Sequence, residues 1–195
     1  AFPLQTVYTD TEAIIALKKR ANEMNAWYNN AVTIDPDLPD NNGGVGICFF
    51  DPNVSDLEKH DINNFSNVMV MKYAGFKIIL TGDNPPSKLI AMLQQNDFRL
   101  AIENATVLLA PHHGRDRDYC DEFVKVVNPL VTVFSDKAIQ YDTQAHAAQK
   151  YYAHTRGVKW NGSDRFILTT RSDGTITFTF YDNSTWNIDT STTEY

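Results

Sequence analysis

The stretch FKIILTGDNPPSKLIAMLQQNDFRLAIENATVLLAPHHG, residues 76–114, decides the fold that the sequence predicts. It holds two apolar runs, Phe76–Leu80 and Ala105–Ala110, on either side of a segment with helical spacing that begins at Pro85. Short apolar runs that alternate with helices are typical of parallel strands joined by helical crossovers. Because such crossovers have one hand, the carboxyl ends of the strands meet at one edge of the sheet. We therefore expect a buried, partly parallel sheet at the centre of the molecule.

The sequence on both sides of this stretch extends the pattern. Val68–Tyr73 is joined to Phe76–Leu80 by Ala74-Gly75 alone, which predicts a tight hairpin. Asp173-Gly174 predicts a second hairpin, between residues 166–170 and 175–181. The other predicted elements are the strands Val45–Phe50 and Leu130–Phe134 and the helices Thr9–Asn29, Pro85–Gln95, Tyr119–Val127 and Thr143–Thr155. The predicted class is α/β, with a mixed β-sheet and flanking helices.

Length and composition fit one domain with a substantial core. The chain has 195 residues, of which 43% are hydrophobic. We expect the domain to cover residues 1–181 and to be followed by a loose tail, because residues 182–195 are polar and rich in threonine.

Charge and cysteine usage limit the possible partners and compartments. The formal net charge of −7 argues against unaided nucleic-acid binding, which normally needs a basic face. A nuclease remains possible, because bound divalent cations reverse the local sign of a site. The two cysteines, Cys48 and Cys120, lie far apart, so we expect free thiols in a reducing, cytoplasmic compartment. No apolar stretch reaches the roughly 20 residues that span a bilayer, so we expect no membrane span.

Polar side chains follow three of the predicted parallel strands. The first ends in Thr81–Asp83, the second in Pro111–Gly114 and the third in Ser135-Asp136. Open α/β sheets bind ligands at this edge, and a carboxylate with neutral imidazoles suits zinc, manganese or iron. The alternative is that Asp83 caps the following helix and that the two histidines are only a polar strand end.

The order of several short motifs resembles the C-terminal half of metallo-β-lactamase-fold hydrolases. Asn63–Ser66 (NNFS), Leu80–Asp83 (LTGD) and Pro111–Gly114 (PHHG) carry the resemblance. The resemblance is strongest to the branch of these hydrolases that is related to ComEC-type competence proteins, whose domain is thought to be a DNA nuclease. The resemblance covers about residues 45–180 and implies one half of a four-layer αββα sandwich.

This resemblance implies a divalent metal centre, with zinc or manganese and possibly two ions. Asp83 would bridge the ions, and His112 or His113 would be a ligand or a proton carrier. The family's next motif usually holds Gly-His-Pro, whereas residues 140–146 here read QYDTQAH. The role of the histidine in that motif would therefore fall to Asp142 or His146.

One motif of the family has no counterpart in the sequence. His-x-His-x-Asp-His, the principal metal motif, occurs nowhere in these residues. We expect it on an N-terminal half-domain or on a partner chain. Two functions remain open: a metal-dependent hydrolase that acts on nucleic acid or another phosphodiester, and an interaction or structural module that retains the fold without the site.

Overall fold

A computed structural model describes residues 44–52, 62–137 and 146–192, together with Lys19. The chain divides into two compact units, Ala1–Pro36 and Asp37–Tyr195. Apart from Lys19, every described residue belongs to the second unit. The predicted helix Thr9–Asn29 lies outside the described residues except for Lys19, which is helical. The predicted extent of the domain, residues 1–181, therefore stays a prediction.

The described residues form one six-stranded sheet and two smaller two-stranded sheets. Their strands are β1 (Gly46–Phe50), β2 (Val68–Tyr73), β3 (Phe76–Leu80), β4 (Val107–Leu109), β5 (Val131–Phe134), β6 (Val158–Trp160), β7 (Ser163–Arg165), β8 (Ile167–Thr169), β9 (Ile176–Phe180) and β10 (Trp186–Thr190). The large sheet has the order β1-β2-β3-β4-β5-β8. β1, β2 and β3 pair antiparallel, and β3, β4, β5 and β8 pair parallel. The predicted mixed α/β sheet is confirmed.

The predicted hairpin at Ala74-Gly75 is also confirmed. Tyr73 pairs with Phe76, so the two residues between them form the whole turn. Ala74 has φ 47° and Gly75 has φ 87°, the positive angles that the type I′ turn of two-residue hairpins requires. This turn fixes the register of β2 against β3 and directs β3 into the centre of the sheet.

Short helices connect the parallel strands, and none among the described ranges has the length and apolar composition needed to cross a bilayer. α1 (Pro86–Met92) and α2 (Asn96–Ile102) link β3 to β4, α3 (Asp121–Val127) links β4 to β5, and α4 (Ala147–Tyr152) lies between β5 and β8. A fifth helix, α5 (Thr170–Asp173), follows β8 and leads to β9. α1 begins with proline in its first turn, where no backbone N–H is needed. α2 was not predicted; its buried side chains, Phe98, Ala101 and Ile102, face the same core as those of α1.

The sheet buries apolar side chains on both faces. Along each strand successive residues point to opposite sides, so Leu108 packs with the helices whereas Val107 and Leu109 face the other way. The helical side of the sheet contains the larger core, including Phe98, Phe123 and the fully buried Tyr151. The second face contains a smaller core that is formed with the β9–β10 hairpin; its fully buried or nearly buried members are Val107, Val131, Val133, Leu168 and Ile188.

The hairpin predicted around Asp173-Gly174 is wrong. β8 pairs with β5 in the large sheet, and β9 pairs with β10 instead. The Asp173 carboxylate accepts hydrogen bonds from the Thr169 N–H at 2.7 Å and from Arg165 at 2.7 Å. These bonds hold residues 170–173 in the single helical turn α5, which carries the chain from one sheet to the other.

The loose tail predicted for residues 182–195 is also wrong for its described part, residues 182–192. β10 pairs with β9 in register, with Trp186 opposite Phe180 and Ile188 opposite Phe178. The rings of Phe180 and Trp186 stack with a centroid distance of 5.8 Å, and Ile188 is 7% exposed. The alternation of apolar and polar residues at Trp186, Asn187 and Ile188 explains why this segment forms a strand, because it gives β10 one apolar face to bury.

Candidate functional site

The carboxyl ends of the four parallel strands lie side by side at one edge of the large sheet. β3 leads into Asp83, β4 into His112 and His113, β5 into Ser135 and β8 into Thr170. The backbone N–H of His112 donates to the Gly82 carbonyl at 3.1 Å, so the loops after β3 and β4 are directly joined. The predicted convergence of strand ends at this edge is therefore confirmed.

The turn that presents Asp83 is held by Ser66. Gly82 has φ 58°, and a Cβ on it would lie 2.9 Å from Ser66 Cβ, so the close approach requires glycine. The Asp83 N–H donates to Ser66 Oγ at 3.1 Å. The residue before α1 is Pro85, and no side chain caps the helix. The alternative prediction, that Asp83 is a helix cap, is wrong.

His113 lies beside Asp83. Its Nε2 is 3.8 Å from Asp83 Oδ1, and the two side chains are 50% and 40% exposed. On the other side of the ring, Nδ1 lies 2.8 Å from the Ser135 carbonyl oxygen. A carbonyl only accepts hydrogen bonds, so Nδ1 carries a proton and donates it to Ser135. In the neutral ring this leaves the lone pair on Nε2, the nitrogen that faces Asp83.

The neighbouring histidine is placed quite differently. His112 Nδ1 lies 3.0 Å from Asp118 Oδ2, and both side chains are 9% exposed. Asp118 also accepts a hydrogen bond from Arg117 Nε at 3.2 Å. A buried imidazole donating Nδ1–H to a carboxylate is fixed in orientation, and its Nε2 is left as the proton acceptor.

The loop that carries both histidines has an uncommon backbone. His112, His113 and Gly114 have φ values of 49°, 61° and 72°, three successive residues in the left-handed region. Side chains with a Cβ rarely adopt these angles, and each such residue costs roughly 1–2 kcal/mol. Gly114 lies against Phe134, where a Cβ would be 2.9 Å from the ring. Strain of this kind concentrates at functional sites, where the surrounding structure holds it in place.

The two other predicted site residues do not complete the pair. Asp142 lies outside the described residues. His146 is exposed at the start of α4, and its backbone N–H donates to Asp116 Oδ2 at 3.3 Å. Within residues 44–52, 62–137 and 146–192, no three or more His, Cys, Asp or Glu side chains are grouped to hold a metal. The roles predicted for Asp142 and His146 stay predictions.

The pair formed by Asp83 and His113 fits part of a metal centre. A carboxylate and a neutral imidazole are both donors that zinc accepts. Two donors that each lie about 2.1 Å from one ion are themselves about 3.5 Å apart, close to the observed 3.8 Å. Metal-binding histidines typically donate their second ring N–H to a carbonyl or carboxylate, as His113 does to Ser135. The pair supplies two donors, and a complete site needs at least one more.

Within the described ranges, neither cysteine joins Asp83 and His113 in a group that could hold a metal. Cys120 is buried, and that burial raises the pKa of its thiol above the ordinary value. Cys48 is half-buried in β1, and neither cysteine forms a disulfide.

Sequence reasoning missed Asp118 and Thr170, and it named Ser135 only as the polar end of the third strand. Asp118 binds His112, the Ser135 carbonyl binds His113, and the Thr170 hydroxyl binds the backbone at Asp136. Asp118 lies in a charged loop that carried no motif, and a backbone carbonyl leaves no trace in residue type. Only the sheet topology, which places β8 beside β5, could have pointed to Thr170.

Comparison with protein-family models and curated proteins identifies no family for this chain. No protein-family model matches the chain, and no curated protein matches it either. The resemblance to metallo-β-lactamase-fold hydrolases therefore stays a prediction that depends on the motifs and on their positions at the sheet edge.

Proposed function

We propose that this protein is a metal-dependent hydrolase that acts on phosphodiesters, with nucleic acid as the substrate class. The observation that carries the proposal is the arrangement of His113 between Ser135 and Asp83. Its Nδ1–H is bound by a backbone carbonyl at 2.8 Å, and its Nε2 faces a carboxylate oxygen 3.8 Å away. Two acceptor atoms facing each other at this distance repel unless a cation or a proton lies near them. A divalent metal is the cation that a carboxylate and a neutral imidazole favour together.

The two histidines have separate roles in this proposal. His113 and Asp83 hold the metal, zinc or manganese, which when bound supplies charge stabilisation for phosphodiester hydrolysis. His112 accepts a proton at Nε2, because its Nδ1–H is directed to Asp118 at 3.0 Å. The Asp118 carboxylate keeps the ring in that tautomer and stabilises the protonated imidazole. The same division of labour between a histidine and a buried carboxylate recurs in unrelated hydrolases.

The remaining metal ligands come from outside the described residues. A complete centre of this class needs more donors than Asp83 and His113 provide. We propose that an N-terminal half-domain or a partner chain with the histidine-rich motif supplies them. The exposure of the pair, 40% for Asp83 and 50% for His113, leaves both side chains accessible to such a partner.

The substrate class follows from the chemistry of the edge and from the charge of the chain. A protein with a formal net charge of −7 repels a polyanion over most of its surface. Phosphodiester binding then depends on the cation at the site, which reverses the local sign. We therefore expect hydrolysis to disappear when the metal is removed and to depend strongly on ionic strength.

Phosphodiester hydrolysis by the complete, freshly purified assembly tests the proposal. We would measure cleavage of bis-p-nitrophenyl phosphate and of single- and double-stranded DNA with added Zn²⁺ or Mn²⁺, with and without chelator. Activity that chelator removes, and that Asp83→Ala abolishes, supports the proposal. The matched control is Asp182→Ala, an exposed carboxylate in the β9–β10 turn. Activity that survives unchanged in Asp83→Ala contradicts the proposal. Absence of activity under every metal condition, in an assembly that includes the half-domain or chain carrying the other ligands, contradicts it as well.

The second candidate is a module that retains this fold without catalysis. It is favoured by one observation: no group of three potential metal-binding side chains lies within the described parts of the chain. In that case Asp83 and His113 would form a simple ion pair with a protonated imidazole. A protein that folds normally, binds no divalent metal and hydrolyses none of the substrates would support this function.

A further inference from the structure

We propose that Thr170 is a positioning residue for His113 and that it acts through the peptide bond between Ser135 and Asp136. This inference rests on the proposed role of His113 as a metal ligand. Thr170 and His113 bind opposite ends of the same peptide unit, so Thr170 acts on His113 through that unit and not by a direct hydrogen bond.

One peptide unit joins the two side chains. Its carbonyl, on Ser135, accepts the His113 Nδ1–H at 2.8 Å. Its N–H, on Asp136, donates to Thr170 Oγ1 at 2.7 Å. The two hydrogen bonds leave opposite ends of the same planar amide, so a rotation of that plane breaks or strains both of them together. Hydrogen bonds linked through one polar group also strengthen each other.

Thr170 binds the backbone of Asp136 on both sides of its Cα. Besides accepting the Asp136 N–H, its hydroxyl donates to the Asp136 carbonyl at 2.8 Å. The next residue, Arg171, places NH2 3.1 Å from Asp136 Oδ2, whose side chain is fully buried. Since Thr170 is the first residue of α5, directly after β8, its position is set by the pairing of β8 with β5. β8, the fourth parallel strand, thus fixes the Ser135 backbone carbonyl at the end of β5, the third parallel strand.

The consequence for His113 is a fixed tautomer and a fixed ring plane. With the Ser135 carbonyl held in place, the ring keeps its proton on Nδ1 and presents Nε2 towards Asp83. Loss of the group that binds a metal-binding histidine's second ring nitrogen typically weakens metal binding about 10- to 100-fold. Here that group is the Ser135 carbonyl, which Thr170 holds in place. Thr170 therefore supports the metal site without contributing a donor atom.

The test compares Thr170→Val with Thr170→Ser in the full chain, first without metal and then in a titration with Zn²⁺. Valine keeps the shape of threonine and removes both hydroxyl hydrogen bonds, whereas serine keeps them. The matched control is Thr132→Val, which removes a buried hydroxyl in β5 that lies 2.9 Å from Thr155 Oγ1. The readout is the His113 tautomer, measured from the ¹⁵N shifts of its ring nitrogens. A purely structural role would lower stability in both valine variants and would leave that tautomer unchanged.

We expect His113 to be protonated on Nδ1 in the wild type, in Thr170→Ser and in Thr132→Val. In Thr170→Val we expect the Nε2–H form to appear and Zn²⁺ affinity to fall about 10- to 100-fold. A folded Thr170→Val protein with the wild-type tautomer would overturn the inference. If this variant does not fold, hydrogen exchange of the wild-type Asp136 amide decides, because fast exchange would mean that Thr170 does not hold it. A wild type that binds no Zn²⁺ contradicts the proposed function, whereas the tautomer comparison still decides the role of Thr170.

Discussion

His112 Nδ1 lies 3.0 Å from Asp118 Oδ2, and the side chain of each residue is only 9% exposed. The next residue, His113, is half-exposed and lies beside Asp83 instead. Two histidines that the sequence presents as one motif are therefore in two environments. The buried one is held by a carboxylate, and the exposed one is positioned to bind a ligand. Both histidines have positive φ angles, in the left-handed region of the backbone map.

Removal of the Asp118 carboxylate should destabilise the fold. In Asp118→Ala the buried Nδ1–H of His112 loses its partner, and hydrogen bonds to charged groups contribute about 1.5–3 kcal/mol. We predict a loss of that size in the free energy of unfolding, measured with urea. The exposed variant Asp182→Ala should change it by no more than about 0.5 kcal/mol. If both variants unfold at the same urea concentration, the buried pair is not formed.

Gly114 should tolerate alanine less well than a glycine with a similar backbone. Gly114 has φ 72° and Gly162 has φ 79°, so alanine is conformationally strained at both. A Cβ at Gly114 would also lie 2.9 Å from the Phe134 ring, whereas nothing lies within 4 Å at Gly162. We predict a loss of about 1 kcal/mol for Gly162→Ala and at least about 1 kcal/mol more for Gly114→Ala. Equal losses in thermal or urea unfolding would contradict the close approach of Phe134 to the histidine loop.

Asp121 should make stability depend on acidity. Its carboxylate accepts hydrogen bonds from Lys125 above all, and also from Tyr119 and His154, which lower the pKa of Asp121 from 3.8 to about 2. A folded-state pKa below the unfolded value stabilises the fold above the unfolded pKa, and that contribution is lost as the pH falls towards the folded pKa. The stability advantage of the wild type over Asp121→Asn should therefore be complete above pH 3.8 and disappear near pH 2.

A surface carboxylate provides the control for this pH profile. Asp164 lies 2.8 Å from Lys159, and the two side chains are 55% and 77% exposed. Exposed pairs of this kind contribute little to stability. Asp164→Asn should therefore differ little from the wild type at any pH, in unfolding curves recorded from neutral pH down to about 2. A constant difference between the wild type and Asp121→Asn over that range would contradict the lowered pKa of Asp121.

The parts of the fold that local sequence determines could be predicted. Ala74-Gly75 defined a hairpin because two residues with positive φ fix the turn type. The apolar run Ala105–Ala110 predicted a buried parallel strand, and β4 lies within it. Together with the helical crossovers, these elements were enough to place Asp83 and the two histidines at the same sheet edge. Asn161-Gly162 carries the same kind of hairpin signal and forms the turn between β6 and β7, a hairpin that was not among the predictions.

The parts that depend on distant residues could not be predicted. Asp173-Gly174 has the local signal of a hairpin, but the Asp173 carboxylate binds Arg165 and Thr169 and forms a helical turn instead. β10 gains its stability by packing on β9 and on the second face of the sheet, contacts that its own short sequence does not specify. The arrangement of the site also depends on residues that are distant in the sequence. Which histidine faces Asp83 depends on Asp118 and on a backbone carbonyl, and residue spacing specifies neither.

The most direct test of the central claim is metal binding by the complete, freshly purified assembly. We would determine its metal content by mass spectrometry and then titrate Zn²⁺ and Mn²⁺ into chelator-treated protein by calorimetry. We predict that the wild type binds metal and that Asp83→Asn and His113→Ala each weaken binding about tenfold or more, which corresponds to about 1.4 kcal/mol. Asp182→Asn, the exposed control, should bind like the wild type. Absence of metal binding in the wild type, or equal affinity after Asp83→Asn, would contradict the claim that Asp83 and His113 form part of a metal centre.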